Sequence, residues 1–155
     1  PQILCFELTE TSAIANLNRA SQFMHELSHL GCRFSLDDFG SGMSSFAYLK
    51  GLPVHFVKID GAFVRGMEEN PINHAMVEAI VRVARVMGIK TVAEFVETPE
   101  LLAKLAVMGV DYAQGFGIHK PEPLAETVNL ALSPIEAVKL VGEAVIGETS
   151  QMDLS

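Results

Sequence analysis

Five times along this chain, a short and nearly unbroken apolar run is followed by a longer segment of helical period, and that recurrence limits the folds open to it more than any other feature. The runs are Ile3 to Leu8, Arg33 to Asp37, His55 to Ile59, Lys90 to Val96 and Tyr112 to Phe116. Strands that alternate apolar and polar residues cover one face of a sheet. Continuous apolar runs suit parallel strands, which are connected by crossover helices packed over them. The helical segments are well punctuated. Leu17, Ala20, Met24 and Leu27 share a face, and Gly31 follows where a left-handed cap belongs. Asn70-Pro71 opens the longest helix, which carries Met76, Ile80, Ala84 and Met87 and ends before Gly88. Thr98-Pro99 opens another that closes at Gly109, and Ser133-Pro134-Ile135-Glu136 pairs a proline start with a capping box. That last helix is expected to run to about Ile146, with Gly147 to Ser155 as a polar tail.

Consecutive βα units allow an open doubly wound sheet or part of a closed eight-stranded barrel. No run is followed by the glycine fingerprint of a dinucleotide fold or by a phosphate-binding P-loop. A complete barrel takes roughly 250 residues, and about 200 at the least. On the barrel reading, the 155 residues of this chain are therefore a portion of one.

The polar residues fall in a pattern. Glu7 lies near the end of the first run and Glu10 follows it, Asp37 and Asp38 end the second, and Lys58 and Asp60 close the third. Glu94 and Glu97 lie in or after the fourth, and Gln114 in the fifth. In a parallel barrel these ends converge on the face that carries the active site. A charge inside an apolar strand is costly unless it is paired or bound to a metal. Several carboxylates and one lysine on one face make a site of hard oxygen ligands, suited to Mg²⁺ or Mn²⁺. Adjacent aspartates can serve two ions, as in two-metal hydrolysis of phosphate esters, with Lys58 orienting the attacking water. Taken singly, each acid also reads as a turn or helix-capping residue. Five strand ends carrying polar groups together favour a functional site.

Composition narrows the class further. Nineteen acids against eleven bases give a formal charge of −8, which excludes phosphate-tracking binders of nucleic acid polymers. With 49% apolar and 19% charged residues the chain is not disordered. No apolar run approaches the ~20 residues of a membrane span. Cys5 and Cys32 read as small buried apolar groups of a reduced, cytoplasmic setting. The His25/His29 pair, four residues apart, reads as a surface pair, and no nucleophile elbow surrounds Ser41, Ser44 and Ser45.

Taken in order, Glu7-Leu8-Thr9-Glu10-Thr11, Asp37-Asp38-Phe39-Gly40-Ser41-Gly42, Ser44-Ser45, Tyr48-Leu49-Lys50, Leu52-Pro53 and Lys58-Ile59-Asp60 resemble the EAL-domain cyclic di-GMP phosphodiesterases. Ala93-Glu94-Phe95-Val96-Glu97-Thr98, Gln114-Gly115-Phe116 and Lys120-Pro121 extend the likeness over about the first 125 residues. The resemblance implies a TIM-like (β/α)8 barrel of which about five C-terminal units are present, with residues 1–132 as that portion and 133–155 as the closing helix and tail. It implies hydrolysis of cyclic di-GMP to linear pGpG with two Mg²⁺ or Mn²⁺ ions. By motif, Glu7 looks like a ligand of the first metal, Asp37 like the bridging ligand, and Asp38 and Glu94 like ligands of the second. Lys58 resembles the residue that holds the nucleophilic water. Gln114 and Glu97 resemble supports of the site, and Glu10 the anchor of the Asp37-Asp38-Phe39-Gly40 loop. Through that loop the family forms homodimers. Phe95, where many members have glycine, together with Gly117-Ile118-His119-Lys120-Pro121 resembles the version joined to GGDEF and sensor domains, whose parent proteins include membrane-anchored ones.

The Glu-Ala-Leu signature and the asparagine-bearing strand of the family fall before Pro1. The chain alone is accordingly expected to be inactive, lacking two ligands of the first metal and an arginine for the substrate phosphate. The alternative is an EAL-type receptor that binds cyclic di-GMP without cutting it; the visible metal-site acids favour the enzyme. The cut is also expected to uncover Ile3-Leu4-Cys5-Phe6 with Phe34, Leu36, Val57 and Ile59, driving self-association or pairing with the missing part.

Overall fold

The computed structural model describes residues 1, 3–41 and 46–123. The chain divides into two compact units, Pro1–Ile118 and His119–Ser155. The expected helix after Ser133, the polar tail, and Ser44 and Ser45 lie outside the described residues.

The first unit is a run of strand-helix steps. Strand β1 (Cys5–Thr9) leads into two helices, α1 (Glu10–Ala15) and α2 (Leu17–His29). Strand β2 (Arg33–Phe39) is followed by a 3₁₀ turn (Phe46–Gly51), then β3 (Phe56–Ile59), α3 (Gly61–Gly66) and α4 (Pro71–Met87). Strand β4 (Lys90–Ala93), α5 (Pro99–Met108) and β5 (Tyr112–Ala113) complete the unit. All neighbouring strands are parallel, and their spatial order is β1-β2-β3-β4-β5. A doubly wound sheet reverses strand order at a switch point; a sheet whose spatial and sequence orders coincide is an arc of a singly wound barrel. This order decides between the two architectures the sequence leaves open.

The caps form where the sequence places them. Asn70 Oδ1 accepts from the Ile72 N–H at 2.9 Å, Pro71 occupies the first turn of α4, and Gly88 ends it in the left-handed region. Thr98 Oγ1 accepts from the Leu101 N–H at 3.2 Å, and Gly109 closes α5 in the same way. The short helices α1 and α3 and the 3₁₀ turn, all too short to show a period, are additions to the expected pattern. The strand ends also differ. β2 continues to Phe39, whereas β4 stops at Ala93 and β5 at Ala113, because the backbone beyond them turns to build the site.

The core lies between the sheet and its helices. Phe34, Leu36, Val57, Ile59 and Ala93 are fully buried with Met24 of α2, Val77 and Ile80 of α4 and Leu105 of α5. Each such large aliphatic or aromatic side chain contributes about 1.5–3 kcal/mol by leaving water. Phe23 of α2 meets Phe34 edge-on at 6.1 Å. This corrects the expected apolar cut face: Phe34, Leu36, Val57 and Ile59 point to the helices. Side chains alternate along a strand, so the opposite face takes the residues between them. By register those are Cys5 and Glu7, Ser35 and Asp37, Phe56 and Lys58, and Val92. Cys5 is therefore exposed, against expectation, while Cys32 is buried. Ile3, Leu4 and Phe6 are exposed as expected, at 98%, 55% and 38%. Among the described residues no helix is long and apolar enough to cross a membrane.

Candidate metal and catalytic site

The sheet face opposite the described helices turns polar at the C-terminal ends of the strands. Lys58, from β3, is buried there, and its Nζ reaches three carboxylates: Asp37 of β2 at 2.9 Å, Glu94 after β4 at 2.9 Å and Glu7 of β1 at 3.3 Å. Gln114, just past β5, donates from Nε2 to Glu94 Oε1 at 2.9 Å. Five adjacent strands thus each place one polar side chain at one spot, an arrangement that only their parallel direction and sequential order permit.

Two backbone irregularities complete it. Asp37 and Asp38 are consecutive, and regular alternation would send them to opposite faces. Between Leu36 and Phe39 the pairing with β3 shifts register, and Asp38 adopts φ +52°. The extra residue is a bulge that gives both carboxylates access to the same side and returns Phe39 to the core. Carboxylate oxygens of Asp37, Asp38 and Glu94 all lie within 4.8 Å of one another. The second irregularity follows Glu94, where Phe95 has φ +53°. Its ring is pressed against Gly61, where a Cβ would stand 2.1 Å from the ring, and the Arg65 guanidinium lies 4.4 Å from the ring centroid. Any residue but glycine at position 61 would have to displace the Phe95 ring.

Glu10 is completely buried at the start of α1. Its Oε2 accepts from the Gly40 N–H at 3.0 Å and its Oε1 from the Tyr48 hydroxyl at 2.5 Å. Gly40 has φ +98°, and a Cβ there would approach Phe63 and Ile80 to 3.1 and 3.2 Å. Glu97 is exposed and stands apart from these polar contacts; its backbone passes close to Gly117. The His25/His29 pair is exposed on α2, the helix that connects β1 to β2, with His29 Nδ1 2.7 Å from the His25 carbonyl. Tyr48 is legible in the sequence only as part of a motif. Its link to Glu10 spans 38 positions, and no local pattern announces it.

The electrostatics follow from the count of charges. Burial, the largest single influence on Lys58, works against its charge, but hydrogen bonds and attraction from Asp37 and Glu94 outweigh it, and its pKa stands above the ordinary lysine value. Lys58 is a cation at any physiological pH. The Glu94 carboxyl is raised, first by burial and then by repulsion from Asp37 and Asp38, with Lys58 offsetting only part. One ammonium faces Glu7, Asp37 and Glu94, with the Asp38 carboxylate beside the last two, so the acids outnumber the cation and a divalent cation would neutralise the excess. The donor set is all oxygen, which suits Mg²⁺, Mn²⁺ or Ca²⁺.

The EAL domain family profile matches residues 1–121. The cyclic di-GMP phosphodiesterase PdeB of Shewanella oneidensis is 52% identical over 124 residues, a match that covers 80% of this chain and 14% of PdeB. Among solved structures, the PaMucR phosphodiesterase in complex with c-di-GMP superposes with a TM-score of 0.78 at 36% identity, over 82% of this chain and 51% of that one. BlrP1 of Klebsiella pneumoniae, in complex with manganese and cyclic di-GMP, gives a TM-score of 0.70 at 32% identity, over 75% of this chain and 30% of that one. The chain thus spans about a seventh of PdeB and half of the PaMucR chain. Its parallel five-stranded arc corresponds to part of a TIM-like barrel. With the profile covering most of its length, and with a relative more than half identical over the same stretch, the chain belongs to the EAL domain family.

Proposed function

We propose that this chain carries part of the catalytic centre of a cyclic di-GMP phosphodiesterase, which opens the cyclic dinucleotide to linear pGpG by adding water across one phosphodiester P–O bond. The observation that carries the reading is the Lys58 ammonium set among carboxylates from three other strand ends, beside the Asp37, Asp38 and Glu94 oxygens. A structural role does not call for that concentration of like charge. The names of PdeB and PaMucR, and the manganese complex of BlrP1, support the chemistry.

In this reading Asp37, Asp38, Glu94 and Glu7 would hold the two Mg²⁺ or Mn²⁺ ions. When bound, the ions supply Lewis acidity and neutralise charge building on the phosphodiester oxygens. Lys58, kept protonated by its carboxylates, donates hydrogen bonds that hold and orient the attacking water; its raised pKa makes it a poor base. Gln114 holds the Glu94 carboxylate in one orientation, and Glu97 supports the rim. A barrel site draws on the loops of all eight strands, of which the described residues contribute five, so in this reading the chain alone turns over little substrate. The intact protein is read as cytoplasmic in its catalytic part, dimeric through the Asp37 loop and joined to GGDEF and sensor domains.

The test uses this chain and a longer version spanning the whole domain of the relatives, each incubated with cyclic di-GMP and Mn²⁺ and assayed for pGpG by chromatography. The longer version is expected to cut, and Asp37→Asn or Lys58→Ala to lower its rate by about a hundredfold or more, the scale of losing a preorganised electrostatic group. Full activity in both variants would refute the assignments. Binding without product in the longer version would make the protein a receptor.

A further inference from the structure

We infer that Tyr48 is a positioning residue of the cation site, acting through Glu10 and Gly40 on the turn that carries Asp37 and Asp38. The inference rests on the proposed reading of the site, in which Asp37, Asp38 and Glu94 hold a divalent cation.

The Tyr48 hydroxyl donates to one oxygen of the Glu10 carboxylate, and the other oxygen accepts the N–H of Gly40. A carboxylate is planar, so a donor fixed on one oxygen fixes where the second oxygen points. Glu10 sits at the start of α1, Gly40 just past β2 and Tyr48 on the 3₁₀ turn, and the carboxylate ties these three elements together. The Tyr48 ring is half-buried, and burial with the adjacent Glu10 carboxylate holds its hydroxyl protonated far above the neutral range, so it can only serve as a donor to Glu10.

What the chain of bonds restrains is a strained segment. Asp38 lies in the left-handed region, which is unfavourable for a non-glycine residue even though aspartate tolerates it better than most. The turn is closed locally by Ser41, whose N–H and hydroxyl reach the Asp38 carbonyl at 3.3 and 2.7 Å. Phe39 stacks on Phe46 of the 3₁₀ turn at 5.4 Å, clamping the same two segments from the apolar side. Without the Glu10 bond to Gly40, the bulge is free to relax toward regular alternation, which would carry Asp38 away from Asp37 and Glu94. Tyr48 itself touches none of the site carboxylates; its effect passes through Glu10.

The test is Mn²⁺ binding by this chain, followed by the electron-spin-resonance signal of free Mn²⁺, for the parent, Tyr48→Phe, Glu10→Gln, the double variant and Asp38→Asn. Outer-sphere groups that orient metal ligands typically change affinity by about 10- to 100-fold, so Tyr48→Phe is expected to weaken binding about tenfold. Phenylalanine keeps the ring's packing, so the melting temperature should fall only by what the lost hydrogen bond to buried Glu10 contributes; a merely structural role would show that fall and leave affinity intact. Because both residues act through one link, the double variant should weaken binding little more than either single one. Glu10→Gln offers a second entry to the same link should Tyr48→Phe not fold. Parent-like binding in Tyr48→Phe, or full additivity in the double variant, overturns the inference while the loss in Asp38→Asn sustains the cation site. No Mn²⁺ binding by the parent, or unchanged binding in Asp38→Asn, overturns the cation reading and this inference with it.

Discussion

Replacing Lys58 by methionine removes a charge but keeps most of the side chain's volume, so it isolates the electrostatic contribution of the cluster. At an effective dielectric of about 20, each 2.9 Å ion pair is worth roughly 5–6 kcal/mol before desolvation is charged against it. The loss cannot reach that sum, because Glu94 is buried and can escape by taking a proton. The cost of keeping a carboxyl protonated above its ordinary value of 4.5 is about 1.4 kcal/mol per pH unit. That sets a ceiling of about 4 kcal/mol near pH 7.5 and under about 1 kcal/mol near pH 5. The Glu7 pair, half in water, adds little. The sign follows from linkage. With its pKa raised on folding, Glu94 binds more protons in the folded than in the unfolded chain between the two values, so stability falls as pH rises through that window. In Lys58→Met the window widens upward. Urea unfolding at about pH 5, 6 and 7.5 should show a deficit that grows with pH, equivalent near pH 7.5 to at most about 8–16 °C of melting temperature for a chain of this size. Millimolar Mn²⁺ should restore part of it. A deficit of equal size at every pH would mean that Lys58 contributes packing and not charge, and would refute the electrostatic reading of the cluster.

Three further outcomes are expected. At the opposite end of the sheet, Asp111 accepts from the Thr91 N–H and hydroxyl at 2.9 and 3.0 Å and pairs with Lys90. Asp111→Ala should cost about 1–3 kcal/mol in urea unfolding, since Thr91 is buried and its N–H and hydroxyl lose the side-chain acceptor they share. Burial opposes its charge, but the Lys90 and Thr91 bonds win and the Asp111 carboxyl is lowered. The stability it adds is therefore present above its unfolded value near 3.8 and disappears as pH falls through the lower folded one; acid titrations of the parent and Asp111→Asn should converge there. Gly40→Ala forces a Cβ into φ +98° against Phe63 and Ile80 and should cost on the order of 1–3 kcal/mol, with weaker Mn²⁺ binding measured on the same sample. Thr98→Ala removes the cap of α5 and should lower stability by about 1 kcal/mol without changing Mn²⁺ affinity; a loss of affinity would show that α5 is coupled to the site.

The alternation of strands and helices was legible in the residues alone, because continuous apolar runs and capped helical periods are local signals. Asn70-Pro71, Gly88, Thr98-Pro99 and Gly109 are punctuation that works wherever it stands. The ordered motifs also pointed to the family, and Glu7, Asp37, Lys58, Glu94 and Gln114 could be named from them because each interrupts or ends an apolar run near its C-terminal side. Other properties belong to no window of residues and arise only when the chain is folded. The strand order, and with it the choice of barrel arc over doubly wound sheet, is a property of long-range pairing. Which face each apolar residue takes depends on register, and for that reason Phe34, Leu36, Val57 and Ile59 lie under helices and Cys5 does not. The bulge at Asp38, the left-handed Phe95 and the bond from Tyr48 to Glu10 are set by neighbours about 20 or more residues away. A backbone held in a strained conformation is visible only once the groups that hold it have been brought together.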